Sequence, residues 1–382
     1  MTNKKWWRVG VAAFAATALM ACCATGNTET AGNDDVTGEE VATEVAAELT
    51  PLTWISPRGS IDVMDDYMLH VALEMGYFEQ MGLEVTLEAG PADATATTKF
   101  VAEGKADVGV PSPGVLASSV DTGVPVIGIY NSMPGQIFNF AVAPGSDIKS
   151  IADLAGRSIS VASPGWALII NPMLLEAGVD PESITYVEAG AQWGQAVVLG
   201  QADAALGWEG MRAQWAGQGL EVTWILGRDF STFPSNTTAV ATSSMETAEG
   251  RDVWTRFLTA LVMGEEFARA NPAAAAQITY TRLPDLAATI EPQLALESMM
   301  EIQAMYGLGK DAGVGWGLHN DDGWSNFLEV AKEIGVTSRV LSTDEVYTNE
   351  LLEAVNSADM SVALADAAAF ELNGVFAALK MP

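Results

Sequence analysis

One phrase occurs twice in this chain, as Gly104-Lys105-Ala106-Asp107-Val108-Gly109 and as Gly200-Gln201-Ala202-Asp203-Ala204-Ala205. Each copy follows a stretch with helical periodicity and leads into a short apolar run. Glycine suits the left-handed residue that closes a helix. An apolar run of that length suits a strand buried in a parallel sheet. Each copy then opens into an unusual loop, Pro111-Ser112-Pro113 after the first and Trp208-Glu209-Gly210 after the second. Ligands of open α/β sheets bind beyond the carboxyl ends of strands, so two such loops imply two similar lobes facing one small molecule. Alone, the phrase is also a common helix-to-strand turn, and its neighbours have to decide.

The neighbouring pattern is an alternation of strands and helices. Residues 52–55 read as a strand. Met64, Tyr67, Met68, Val71, Ala72, Met75 and Phe78 then recur at helical spacing. Residues 83–87 alternate as a strand, 95–103 read as a helix, 107–110 as a strand, 115–120 as a helix and 124–130 as a strand. Residues 138–142 are extended and suited to carrying the chain between lobes. A second series comes next, with strands at 158–162, 184–187 and 204–206 and helices at 168–177 and 193–199. Residues 237–242 are β-branched and suit a return crossing. From 247 onward the pattern is mostly helical, and Asn271-Pro272 is an N-cap followed by a first-position proline. Such alternation predicts an α/β fold, each lobe a mostly parallel sheet flanked by helices.

Charge and cysteine content narrow the function. The 49 acidic and 18 basic residues give a net charge of -31, which argues against nucleic acid or anionic lipid as a partner, since both need clustered Lys and Arg. Cys22 and Cys23 are the only cysteines, so the body has no disulfide framework, thiol nucleophile or cysteine metal site. Lys4, Lys5 and Arg8 precede an apolar stretch at 9–20, too short for an ordinary membrane span. Leu19-Met20-Ala21-Cys22 then looks like the lipobox of a bacterial lipoprotein, which would make residues 1–21 a signal peptide and Cys22 the lipidated N-terminus. An ordinary secretory signal cut near Ala21 is the alternative. Residues 24–50 hold seven acidic residues and no Lys or Arg; together with Cys22 they suit a disordered tether over 22–50.

In order along the chain, Gly76-Tyr77-Phe78, Gly82-Leu83-Glu84-Val85, Gly104-Lys105-Ala106-Asp107 and Gly123-Val124-Pro125-Val126 resemble the first lobe of ABC-importer solute-binding proteins. The subgroup is the one handling nitrate, sulfonates, taurine, bicarbonate and thiamine-pyrimidine precursors. Asp153-Leu154-Ala155-Gly156-Arg157, Ser163-Pro164-Gly165, Leu175-Glu176-Ala177-Gly178-Val179 and the second Gly-x-Ala-Asp copy continue the match, as do Trp324, Gly335 and Tyr347-Thr348-Asn349-Glu350-Leu351-Leu352. The resemblance spans residues 51–356. It implies a type II periplasmic-binding-protein fold, with lobe 1 at 51–143 plus 240–382 and lobe 2 at 144–239, closing by a hinge on a buried ligand. It further implies a monomer, exported to the periplasm or cell surface, anchored only by lipid and serving an ABC permease and ATPase complex. No cofactor or metal is implied.

Candidate ligand-binding residues lie beyond strand ends. Arg58 can fork onto a carboxylate, sulfonate or phosphate, or pair with one of the many acids. Asp66 and Tyr67 begin the first helix, where acids also favour the dipole; pyrimidine-precursor binders carry a histidine near the place of Asp66. Ser112 is a hydroxyl between two prolines. Ser163 opens a helix start whose N–H groups suit an anion, but Trp166-Ala167-Leu168 comes next where sulfonate and nitrate binders have further hydroxyls. Gln192, Trp193, Trp208 and Glu209 occupy the next loops. Trp166, Trp193 and Trp208 are expected to converge and stack a flat ring or a cation, with packing of helix starts as the alternative. Glu209 either neutralises a cationic ligand or is an ordinary first-turn acid.

The expected ligand is a small nitrogen-containing or aromatic solute, with a sulfonate, taurine or nitrate as the alternative. A sensory lipoprotein would use the same fold. An enzyme resembling the thiamine-pyrimidine synthase is disfavoured, because that chemistry relies on a reactive histidine and a cysteine-rich motif, and no nucleophile elbow or Cys cluster occurs here.

Overall fold

The structure, a computed structural model, describes residues 48–91, 93 and 95–381. The lipobox with Cys22, the signal peptide and nearly all of the tether lie outside the described residues. No helix among the described residues is long and apolar enough to cross a membrane.

Among the described residues, ten strands form two five-stranded sheets. The first contains β1 (Thr50–Ile55), β2 (Leu83–Glu88), β3 (Val108–Gly109), β4 (Val126–Tyr130) and β10 (Thr238–Ala241), in the order β2-β1-β3-β10-β4. The second contains β5 (Phe138–Val142), β6 (Ser158–Val161), β7 (Thr185–Glu188), β8 (Ala204–Trp208) and β9 (Thr223–Leu226), in the order β7-β6-β8-β5-β9. Pairings among β1, β2 and β3 and among β6, β7 and β8 are parallel, while β10 and β5 run antiparallel to their neighbours. This is the α/β, two-sheet architecture expected from the alternation.

The repeated phrase does the same physical work in both sheets. Gly104 and Gly200 have φ of 67° and 68°, the left-handed region that a side chain disfavours. The next residues, Lys105 and Gln201, return their N–H to the carbonyls of Phe100 and Ala196. The Asp107 carboxylate then accepts the N–H of Thr53 at 2.7 Å, tying the start of β3 to β1. Asp203 accepts the N–H and hydroxyl of Ser158 at 2.8 and 2.6 Å, tying β8 to β6. The aspartate thus sets strand register as well as starting a strand.

Two expectations need correction. Residues 138–142 sit inside the second sheet, between β8 and β9, rather than belonging to the first lobe as a crossing. The crossing is the irregular stretch before them, 131–137. A short apolar run reads alike in either sheet, so local pattern could not choose. Strand β9, with only Trp224, Ile225 and Leu226 as its apolar signal, was not expected at all. The two crossings, 131–137 and 227–237, are bonded to each other: Ser235 N–H donates to the Met133 carbonyl, Met133 N–H to the Asn236 carbonyl, and Ser235 Oγ to Gln136 Oε1.

The helical tail packs as its apolar faces require. Helix Ala248–Ala270, N-capped by Thr247, lies against the first helix, Tyr67–Glu74. The Phe257 ring stacks on Phe78 at 5.4 Å, both fully buried; each such side chain contributes about 1.5–3 kcal/mol by leaving water. Asn271 caps helix Pro272–Arg282 through the Ala274 N–H. Helix Pro292–Tyr306 reaches further, packing on helix Glu209–Gly217, which comes directly after β8 of the second sheet. The tail helices therefore touch both halves of the chain.

Candidate functional site

A cavity lies where the carboxyl ends of β1 and β3 meet the second sheet. Its first wall is Pro57, Arg58, Pro111 and Ser112, and Ile137 and Asn236 of the crossings form its edge. Phe138, Trp166, Ile169, Leu206 and Trp208 form the opposite wall. Its empty volume, open mouth included, is about 510 Å³. The local chain explains each position. Ser112 ends β3's extension and precedes Pro113, the first residue of its helix. Trp208 ends β8, directly opposite Phe138 on β5. Trp166 closes the 3-10 turn that opens helix Ala167–Glu176.

Three buried polar atoms of the lining residues have no protein partner: Arg58 Nε, Ser112 Oγ and Asn236 Oδ1. One is an N–H donor, one a hydroxyl and one an amide acceptor. Buried polar groups are nearly always paired, so three orphans around one cavity suit a surface that meets something other than protein.

The three expected tryptophans converge. Trp166 packs edge-on against Trp193 at 5.3 Å and against Trp208 at 6.1 Å, and Trp193 stacks on Trp208 at 6.3 Å and 15°. Trp215 and Trp224 extend the cluster to five indoles. Only Trp166 and Trp208 reach the cavity. Trp193 stands behind them, its indole N–H donating to the Leu206 carbonyl at 2.7 Å.

Charge at the site is largely neutralised internally. Arg58 bonds Asp66 through Nη2 and lies 3.8 Å from Asp65 through Nη1. Both Asp65 oxygens are buried without a hydrogen bond of good geometry, although the Trp208 indole N–H stands beside them. Burial pushes the Asp65 carboxyl up to about 7, against the pull of Arg58, and Asp66 and Glu209 add to the rise.

Several expected residues lie off this wall. Glu209 is wholly buried, but Arg228 holds its Oε1 at 2.8 Å and Arg212 its Oε2 at 2.6 Å; its charge is spent within the protein. Arg212 also reaches Glu301 of helix Pro292–Tyr306 at 2.7 Å. Tyr67 is buried in the first lobe with its hydroxyl on Glu265. Gln192 is exposed. Ser163 has a buried, unpartnered hydroxyl outside the cavity lining, near Asp93 and Thr95 of the first half. Asp66 lines a separate inner chamber rather than the cavity. Asn236 and Phe138 were missed: a lone Asn in a connecting stretch and a Phe opening a strand carry no local signal of a pocket.

Comparison with known proteins agrees with the two-sheet fold. The NMT1/THI5-like family model matches residues 65–275. The sequence matches no curated protein. Among solved structures, the fold is similar to the alkanesulfonate-binding protein SsuA from Xanthomonas axonopodis pv. citri bound to MOPS (TM-score 0.60, 14% identity, 80% of this chain and 100% of that one). It is similar to the periplasmic aliphatic sulphonate-binding protein SsuA from Escherichia coli (0.57, 13%, 79% and 92%). It also resembles the desulfurization enzyme DSZB (0.53, 16%, 80% and 98%). At these identities the likeness is one of fold, that of the periplasmic binding proteins. The matched span covers more than half of the sequence, and the chain belongs to the NMT1/THI5-like family.

Proposed function

We propose that this chain is the solute-binding protein of an ABC-type importer, closing on a small organic molecule between two lobes and presenting it to a membrane permease. Each sheet with its helices forms one lobe, and the paired crossings 131–137 and 227–237 form the hinge. Cys22, lipidated after removal of residues 1–21, anchors the chain as a monomer outside the cytoplasmic membrane, and the acidic segment holds the lobes clear of it.

The observation carrying this reading is the set of three unpartnered polar atoms on an aromatic-walled cavity between the sheets. The same set favours a ligand class. Arg58 already faces Asp66, so it offers its Nε–H rather than an uncompensated positive charge. This N–H donor, a hydroxyl and one acceptor beside two indoles suit a flat, nitrogen-containing ring bearing a carbonyl or carboxylate. A sulfonate would need more compensating charge than this wall supplies. The body holds no cysteine, which favours binding over thiol chemistry.

A thermal-shift screen tests the reading, with pyrimidines, flavins, aromatic acids, betaines, alkanesulfonates, taurine and nitrate as probes. A ligand at 100 times its Kd stabilises the folded chain by about 2.7 kcal/mol. Heteroaromatic compounds are expected to raise Tm. A shift with alkanesulfonates alone overturns the ligand class, and no shift with any probe class counts against a solute-binding role.

A further inference from the structure

The crossings are not the only connection between the two halves of the chain; a pair of helices also joins them. Helix Pro292–Tyr306 is fixed to the first half. Its Tyr306 ring stacks on Tyr67 at 6.1 Å, and it packs on helix Pro272–Arg282 and on the turn Met64–Asp66. Helix Glu209–Gly217 is fixed to the second half. Its Trp215 ring lies 5.7 Å from Trp193 and 5.2 Å from Trp224, and closely against Gly194.

Contacts follow the first of these helices along its whole length. At its carboxyl end Met305 Sδ lies 3.9 Å from Nη1 of Arg228, a residue of the crossing 227–237. Further along, Glu301 pairs with Arg212 at 2.7 Å, and the buried Ser298 directs its hydroxyl to the Gly210 carbonyl at 3.4 Å. Just before its amino end, a Cβ on Gly217 would come within 2.7 Å of the buried Ile290 side chain. Fifteen helical residues rise about 22 Å, so the contacts reach that far from the crossing. Turning the second half about the crossings has two possible consequences. It strips helix Pro292–Tyr306 from helix Glu209–Gly217, wetting Ile290 and Met211, or it tears the same helix from the first half. Both expose apolar surface, at a cost that grows with the area.

We propose that helix Pro292–Tyr306 is a strap that keeps the two halves closed in the empty protein. This rests on the hinged, two-lobed reading above and adds to it that the closed form is the resting form. Ligand binding then shifts a population already dominated by the closed arrangement. A ligand has to wait for the strap to release, so opening limits the rate of entry. The resting form is already the binding form, so affinity is not reduced by a closing step.

Small-angle scattering on the full chain without ligand tests this in three forms, all carrying Cys22→Ser and Cys23→Ser. The first has no further change. In the second, Arg212→Cys and Glu301→Cys are bridged by a short bismaleimide, which locks the two helices together. In the third, Gly217→Val and Glu301→Lys wedge the helices apart and repel Arg212. The unbridged and bridged chains are expected to share one radius of gyration, and the loosened chain to show a larger one. A smaller radius in the bridged chain than in the unbridged one means that the empty protein rests open, and overturns the proposal. Equal radii in all three forms overturn it too, because something other than the strap then holds the halves. Glu301→Lys alone, at a partly exposed position, serves as the loosened form where the double change fails to fold. No ligand enters these measurements, so a failed ligand screen leaves the strap standing. A smaller bridged radius beside a successful screen removes the strap and keeps the binding role.

Discussion

A methyl group on Gly210 would come within 1.6 Å of Asp65 Oδ1. Gly210 lies in the first turn of the helix after β8, and Asp65 at the start of the first helix, so the two halves of the chain meet here without a spare atom. Around this contact, Gln214 Nε2 donates to the Asp62 carbonyl at 2.8 Å and Arg212 bonds Glu301.

Gly210→Ala is therefore expected to hold the halves apart. Overlap of this size forces Asp65 to move, and its carboxylate is fully buried with Arg58 3.8 Å away. Small-angle scattering should show a larger radius of gyration than wild type, and ligand affinity should fall at least tenfold. An unchanged radius would mean that the halves can close without this contact.

The tryptophans should separate into two kinds. Trp166→Ala and Trp208→Ala remove walls of the cavity and are expected to abolish binding of the ligand found by thermal shift. Trp193→Ala leaves the wall in place but removes its backing and the bond to the Leu206 carbonyl. Large-to-small changes of buried aromatics cost about 3–5 kcal/mol; for this half-buried ring about 2 kcal/mol is expected. Denaturant melts and ligand titration together distinguish the two kinds.

Glu209→Gln is expected to destabilise the fold rather than to alter ligand choice. The change leaves Arg212 and Arg228 facing a neutral amide. Breaking a fully buried pair costs about 3–5 kcal/mol. Both arginines are partly exposed, and water screens what remains, so about 2 kcal/mol is expected here. Urea denaturation measures it. A shifted ligand profile at unchanged stability would return Glu209 to the binding surface.

Opposed titrations shape the pH dependence. Asp65 and Glu265 are pushed up to about 7 and about 8 by burial. The folded chain then keeps protons that the unfolded chain has released, and stability falls as pH rises through this range. His70 and His319 are held down to about 4, again chiefly by burial. They act in reverse, and stability is lost as pH drops from about 6.5 towards 4. The slopes oppose each other below pH 6.5 and only the acids remain above it. Tm is expected to decline between pH 6.5 and 8, and Asp65→Asn and Glu265→Gln should each flatten the decline. A flat wild-type profile over that window would contradict the buried acids as placed.

Much of this architecture was legible in the chain. Helix-closing glycines, the alternating strands and helices, the Asn271-Pro272 cap and the three converging tryptophans are local signals. Each depends on backbone conformation or on the residue types just beyond a strand end. The Gly-x-Ala-Asp phrase marked two equivalent turns, and both copies bond their aspartate to the neighbouring strand. Strand β9 and the sheet membership of residues 138–142 were not legible, since a short apolar run fits any sheet that needs one.

Tertiary structure alone decided which polar groups remain free. Arg58, Asp66 and Glu209 look equivalent in sequence as charged residues after strands or at helix starts. Long-range packing brought Arg212 and Arg228 to Glu209, left Arg58 Nε without a partner, and set Asn236 on the same cavity as Ser112. It also enclosed Glu265 with Tyr67 and Tyr306, residues far apart in the chain. Sequence periodicity determines which faces are buried. Whether a buried charge meets a partner depends on elements that come together only when the chain folds.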